Sequence, residues 1–320
     1  MRFETPSVFE ERFGVRLPIM LAPMAGFTDG RMASAVTTAG GLGTFGASNP
    51  GQPDEWVGEQ IDLIRESTSD PFGVGFITPS LEQRRRRFEI TLEKSVPVVV
   101  LSFSDPQPWL GRAHDAGCSV ICQVQTVTQA VQAVDEGADA LIAQGTEAGG
   151  HTGQVGTFPL LNAVLARCPI VPVLAAGGVG DARSLAAIMA AGAAGASMGT
   201  VFLASEEAPD FPSSMKRLVL ASDGCDTTWT RSYDIALGLE FPEGIGARVH
   251  SNAFTRRWDG REDQLRAQLS DVRDELDAFG LHGDEETLVM YGQSAAFVDE
   301  VLPIDAIMQR LATGLPASSP

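Results

Sequence analysis

Short, unbroken apolar runs recur from residue 19 to residue 198, and a stretch of helical periodicity separates each run from the next. Strands are expected over residues 19–22, 42–45, 72–77, 97–101, 119–123, 138–143, 170–175 (interrupted by Pro172) and 194–198. Helices are expected over residues 31–39, 54–66, 80–94, 109–116, 126–136, 158–167 and 181–191, several with a capping Asp or Thr at the start and a glycine just past the end. The runs are continuous rather than alternating. Such strands are buried on both faces, as in parallel sheets. About eight strand-helix alternations point to an α/β fold, a (β/α)8 TIM barrel. A doubly wound open sheet is the alternative, but it would be expected to carry a GxGxxG turn after its first strand, and none is there.

The rhythm divides the chain. Residues 1–204 read as the barrel, with residues 1–17 as a short lead-in. Residues 205–290 have few strand-like runs and are expected to form a mostly helical appendage over the catalytic end, including a helix over 271–281. Residues 291–320 return to the barrel, with a helix over 303–311 and a frayed tail.

Barrel enzymes build their sites on the loops after the strands. After the sixth run come Gln144, Gly145, Thr146, Glu147, Ala148, Gly149, Gly150 and His151. This stretch reads as a glycine-rich loop that lets backbone approach a ligand, and it presents one histidine able to titrate near neutral pH. An incidental histidine on a surface loop is the bland alternative. Glu147 reads as part of the loop's structure. After the seventh and eighth runs come Gly177-Gly178-Val179-Gly180-Asp181 and Gly199-Thr200. Two adjacent glycine turns, one leading into a helix cap, offer free N–H groups to an anion, at the usual phosphate position of this fold. Met24-Ala25-Gly26 follows the first strand, Gly75 lies on the third, and Gln123 and Gln125 end the fifth.

Composition narrows the partners. The net charge of −18 argues against nucleic acid or an anionic membrane as partner. The basic run Arg84–Arg87 reads as a solvated helix face. No apolar run is long enough to span a bilayer. The four cysteines form no CxxC pair, and a reducing cytoplasm fits their usage. GxSxG, HExxH and Walker spacings are also missing, so hydrolytic and metal chemistry find little support. His114, His250 and His282 read as surface or satisfied histidines. Arg231, Arg248 and Trp258 are placed either near the substrate mouth or in ordinary packing.

In order, Leu21-Ala22-Pro23-Met24-Ala25-Gly26, the Gln144–His151 stretch, Ala175-Ala176-Gly177-Gly178, Met198-Gly199-Thr200 and Tyr291-Gly292-Gln293-Ser294 resemble the nitronate monooxygenase family, formerly called nitropropane dioxygenases. The resemblance implies a TIM barrel holding FMN without a covalent link. It implies His151 as the catalytic residue. It implies a flavin site drawn from Ala22, Met24, Ala25, Gly75, Gln123, Gln144, Gly149, Gly150, Gly177, Gly178, Ser197, Met198, Gly199 and Thr200. Gly178 and the Gly199-Thr200 turn would lie near the phosphate, and Met24 and Ala25 against the ring. The expected activity is oxidative denitrification of alkyl nitronates or nitroalkanes with O2, His151 acting as base on a neutral nitroalkane. Gly75 departs from the family, many of whose members carry Asn there. FMN-dependent enoyl-acyl-carrier-protein reductases share the EAGGH-type loop, so NAD(P)H-dependent enoyl-thioester reduction is the competing expectation. Oligomeric state and physiological substrate are not legible.

Overall fold

A computed structural model describes residues 7–49, 51–208, 211–273 and 288–315. The first nine strands in chain order are β1 (Ile19–Leu21), β2 (Gly43–Gly46), β3 (Phe72–Ile77), β4 (Val98–Ser102), β5 (Ser119–Val124), β6 (Ala140–Gln144), β7 (Gly150–Thr152), β8 (Val173–Ala176) and β9 (Gly195–Met198). All but β7 form one parallel sheet in the order β1-β9-β8-β6-β5-β4-β3-β2. A bridge between Met20 and Leu42 joins its two ends. There the Leu21 N–H donates to Leu42 O at 3.0 Å, and the Leu42 N–H donates to Ile19 O at 2.9 Å. The (β/α)8 barrel expected from the rhythm is the observed fold.

Two apolar layers explain why the runs do not alternate. Met20, Leu42, Val98, Val100, Ile121, Ile142 and Leu174 form the inner cluster. Their strand neighbours Leu21, Val99, Leu101, Val120, Leu141, Val173 and Met198 belong to the outer cluster with the surrounding helices. Where a strand runs between these two layers, its residues are apolar whichever way they point.

The lead-in is more than a tail. Helix α1 (Val8–Phe13) starts in a capping box between Ser7 and Glu10. Its buried Phe9 and Phe13, one turn apart with ring centroids 4.9 Å from each other, join the inner cluster of the barrel. Two helix-spaced aromatics in six residues are too short a pattern to read from sequence.

Helices α2 (Gly30–Thr38), α3 (Glu55–Ser67), α4 (Arg85–Glu93), α5 (Trp109–Asp115), α6 (Val127–Asp135), α7 (Thr157–Arg167) and α8 (Ala182–Ala190) follow their strands. Thr126 and Asp181 cap α6 and α8 as expected. Two expectations shift. The helix expected from residue 80 begins only at Arg85, because two 3-10 turns, the first containing Pro79, precede it. The strand expected from residue 170 begins at Val173. Pro172 has no N–H to give a ladder, and Ile170 is 82% exposed.

The segment after the barrel strands is not uniformly helical. It carries α9 (Thr200–Leu203), α10 (Ser213–Ala221), β10 (Thr227–Thr230), α11 (Ser232–Leu237), β11 (Gly246–His250), α12 (Ala253–Trp258) and α13 (Glu262–Ala267). β10, β11 and β7 form a three-stranded antiparallel sheet. These strands are short and threonine- or glycine-rich, which hides them from a search for apolar runs. Tyr233, Val249, Phe254, Trp258, Leu265 and Val272 give the segment its own core. Of the helix expected over 271–281, residues 271–273 are helical and the remainder lies outside the described residues. The closing helix, Ile304–Ala312, buries Ile304, Ile307, Met308 and Leu311 against the barrel's outer layer.

Candidate active site

A cavity of about 710 Å³ lies where the barrel strands end. Its floor begins with Ala22, Met24 and Ala25, just past β1. The Thr28 hydroxyl fixes this turn, accepting from the Met24 N–H at 3.0 Å and the Gly46 N–H at 3.1 Å. Gly75 lies beside it, and a Cβ there would stand 2.3 Å from Pro23 Cβ. In this backbone arrangement a side chain at position 75 would force Pro23 or its own strand to shift.

Gln123 and Gln144 form the next part of the wall. The Gln144 carbonyl oxygen accepts from the Gln123 amide at 3.2 Å and from the buried Gln125 amide at 2.9 Å. Its own NH2 donates to the His151 backbone carbonyl at 3.0 Å. The glutamine cluster thus sets the position of the strand that carries His151.

Across the barrel, Gly177, Ser197, Met198, Gly199 and Thr200 line the cavity, and so do Gly149 and Gly150. Gly177 and Gly178 have φ of +103° and +70°, a turn reserved for glycine, and a Cβ on Gly177 would sit 2.7 Å from the Ala148 nitrogen. Gly178 forms the turn without itself lining the cavity. Asp181 takes the Ser184 N–H of α8 at 2.7 Å, so an anion here would depend on the two turns rather than on that helix amide. The Ser197 hydroxyl faces this region buried and without a hydrogen-bond partner. An orphaned hydroxyl beside glycine turns and small-residue walls fits a flat, phosphorylated cofactor.

His151 sits on β7, registered against Ala247 of β11. Its Nε2 lies 2.8 Å from Oδ1 of the buried Asp234, and the imidazole itself is part-buried. A carboxylate can only accept, so Nε2 carries the proton and Nδ1 is the open edge of the neutral ring. The ring stacks on Phe241, with centroids 3.6 Å apart and planes at 13°, and Phe103 meets it edge-on at 6.3 Å. Phe103 holds φ +78°, unusual for a bulky residue. The other Asp234 oxygen, Oδ2, is buried with no partner. Sequence gave no signal for Asp234, which lies 83 residues from His151. Phe103 and Phe241 were missed as well, since single aromatics carry no spacing to read.

The nitronate monooxygenase family model matches residues 7–86 and 78–314. The chain belongs to the nitronate monooxygenase family. As a family member it is a flavin oxidoreductase. It is 28% identical over 349 aligned positions to a probable nitronate monooxygenase of Staphylococcus aureus, covering 94% of this chain and 95% of that one. It is 36% identical to a (3aS,4S,5R,7aS)-5-hydroxy-7a-methyl-1-oxo-octahydro-1H-indene-4-carboxyl-CoA dehydrogenase of Rhodococcus jostii, over 70% of this chain and 62% of that protein. The match therefore spans somewhat under two thirds of the length of that relative. Among solved structures it resembles FabK from Thermotoga maritima (31% identity, TM-score 0.85, 97% of this chain and 96% of the other). It also resembles the nitroalkane oxidase of Streptomyces ansochromogenes (28%, 0.79, 97% and 98%).

Other side chains of this family member fall away from the chemistry or take unforeseen roles. Glu147 accepts from the Thr157 N–H at 2.8 Å and from its hydroxyl at 2.9 Å, so it secures the start of α7. Arg248 donates to the Thr146 carbonyl, behind the loop. Arg231 does not line the cavity, and Trp258 packs in the appended core. His114 bonds Asp139 at 2.9 Å, while His282 lies outside the described residues. His250 Nδ1 lies 2.6 Å from the Tyr291 hydroxyl, which donates to Asp226 at 2.8 Å. Burial pushes the Tyr291 phenol up, and the Asp226 carboxylate adds to that shift. Burial holds His250 below the ordinary histidine value, with Arg256 adding to the effect and Asp226 opposing it. The run Arg84–Arg87 is not a uniformly solvated face. Arg87 is 2% exposed and bonds Asp54 at 2.9 Å, and Asp54 makes no helix-capping bond. Arg87 also donates to the carbonyls of Ala47, Asn49 and Gln52. Periodicity could not show that the turns before α4 aim one guanidinium inward.

Among the described residues no helix is long and apolar enough to cross a membrane.

Proposed function

We propose that this protein is an FMN-dependent nitronate monooxygenase that uses O2 to convert an alkyl nitronate, or its parent nitroalkane, to a carbonyl compound and nitrite. The observation that carries the reading is His151, anchored by Asp234 at 2.8 Å, with its ring on the wall of the cavity. The Gly177-Gly178 and Gly199-Thr200 turns would take the phosphate, with Ser197 completing the cradle. Met24, Ala25, Ala22 and Gly75 would face the ring, and Gln123, Gln144, Gly149, Gly150 and Met198 would border it. When bound, FMN supplies the electron transfer that oxidises the substrate, with O2 as acceptor.

The chain's own residues handle protons and position. Nδ1, the edge of His151 that Asp234 leaves open, removes the α-proton of a neutral nitroalkane. With a preformed nitronate the same edge orients and stabilises the anion. Asp234 keeps the ring in the required tautomer and offsets its charge once protonated. Phe241 and Phe103 limit water at the imidazole. In this reading residues 1–204 bind the cofactor, 205–290 supply Asp234 and Phe241 and so shape substrate choice, and 291–320 close back on the barrel. Free thiols at Cys118, Cys122, Cys168 and Cys225 accord with a cytoplasmic protein.

The likeness to the indene-carboxyl-CoA dehydrogenase of Rhodococcus jostii and to FabK favours one second reading, an NAD(P)H-dependent reductase of enoyl thioesters. The visible spectrum of purified protein tests for the flavin. Anaerobic mixing then separates the two readings. Bleaching by a nitronate supports the first, and bleaching by NADPH alone replaces it with the second.

A further inference from the structure

The cavity wall carries one guanidinium among its described residues and no lysine. That cation is Arg84, in the 3-10 turns after β3, with Ser80 and Gln83 beside it on the same wall. Its surroundings leave it under-supplied with acceptors. Arg87, one turn on, has already claimed Asp54 and the carbonyls of Ala47, Asn49 and Gln52. What remains to Arg84 is a long contact from Nη1 to Asn49 O at 3.5 Å, while its Nε is buried without a partner. Among the described residues no carboxylate lies within salt-bridge distance of it. Burial and then the neighbouring Arg87 hold its pKa below the ordinary arginine value, with Asp54 only partly compensating. A guanidinium has five donors arranged to grip a planar or tetrahedral oxyanion. Holding one part-desolvated with its Nε buried and unpartnered is costly unless the group gains an anion.

Its place separates it from the glycine turns. Those turns follow β8 and β9, whereas β3 stands four places from β8 and three from β9 around the barrel. An anion at Arg84 is therefore across the cavity from the proposed phosphate cradle. We propose that Arg84, flanked by Ser80 and Gln83, is an oxyanion subsite that grips a carboxylate or phosphate at the far end of the substrate. The inference rests on the reading of the cavity as a flavin and substrate site. It adds that the substrate carries a second, negatively charged end, which the enzyme selects for through KM.

The test uses the flavin-loaded enzyme and three nitronates of matched chain length, ending in a methyl, a carboxylate or a phosphate ester. Wild type is expected to favour one of the anionic ends by about tenfold in kcat/KM, mainly through KM. Which anionic end wins identifies the tail. In Arg84→Gln that ratio falls towards one, and in Arg84→Lys, which keeps the charge but loses the fork, it is intermediate. Equal turnover of all three by wild type, or an unchanged ratio in Arg84→Gln, overturns the subsite. If wild type turns over none of them, the nitronate reading fails separately. Titration with inorganic phosphate still decides the subsite in that case, since weaker binding by Arg84→Gln supports it and equal binding ends it.

Discussion

Asp234, on α11, holds the Nε2 edge of His151, on β7, at 2.8 Å. The contact links the segment after the barrel to the loop that follows β6. It fixes which ring nitrogen faces the cavity, so chemistry at His151 depends on a residue far away in the chain.

Asp234→Asn should leave flavin content and fold close to wild type, because the side chains have nearly the same shape. Turnover of a neutral nitroalkane should fall by about a hundredfold or more, since the amide no longer enforces the tautomer. Turnover of the matching nitronate should fall far less. Steady-state rates on the pair, with visible spectra as control, check this. Equal losses on both would leave Asp234 a packing residue.

His151→Asn separates proton removal from anion positioning directly. The nitroalkane rate should drop much further than the nitronate rate, by about ten- to a thousandfold in the ratio. A ratio that stays at the wild-type value removes the general-base role.

Phe241→Ala removes the ring that stacks on the imidazole at 3.6 Å. We expect kcat/KM to fall about tenfold through a loosened His151 and easier entry of water. Stopped-flow reduction by a nitronate, compared with Asp234→Asn, reads this effect.

Gly75→Asn puts a Cβ 2.3 Å from Pro23 Cβ. Overpacking of this kind costs about 1–3 kcal/mol, and here the displaced atoms belong to the cavity floor. Lower melting temperature together with lower flavin retention is the expected outcome. The double variant that also replaces Pro23 with Ala should recover part of both.

His250 offers a test against pH. Its folded value is depressed, so on acidification the unfolded chain takes up the proton before the folded one does. The stabilising contribution is complete above the ordinary value of 6.5 and is lost as pH falls through the lower folded value. Melting temperatures of wild type should therefore decline on going from about pH 7 to about pH 5, and His250→Gln should flatten that slope. Parallel curves for the two proteins would contradict the assignment.

What could be read from the chain follows from how each feature is encoded. The barrel was legible because β4, β5 and β6 feed both apolar layers, which turns a three-dimensional fact into largely unbroken apolar letters. His151 and the glycine turns were legible because glycine is demanded where backbone approaches backbone, as at Gly177. Asp234 was not, since its meaning lies in a contact rather than in a local pattern. The strands β10 and β11 escaped for a related reason. Thr227–Thr230 and Gly246–His250 are stabilised by pairing with each other and with β7, not by burying an apolar run of their own. Arg87 misled because charge usually means solvent, and here four acceptors drew it inside.

The pairing of His151 with Ala247 has a consequence for how such enzymes diverge. Asp234 and Phe241, which hold the ring, lie between β10 and β11, so losing or gaining one residue in that hairpin would change which residue stands opposite His151 and shift both supports against it. The segment beyond the barrel can thus silence or re-aim the reactive group with no change in any residue that touches the cofactor. Length variation in that hairpin, more than point substitution in the barrel, is where gain and loss of activity between cousins should be sought.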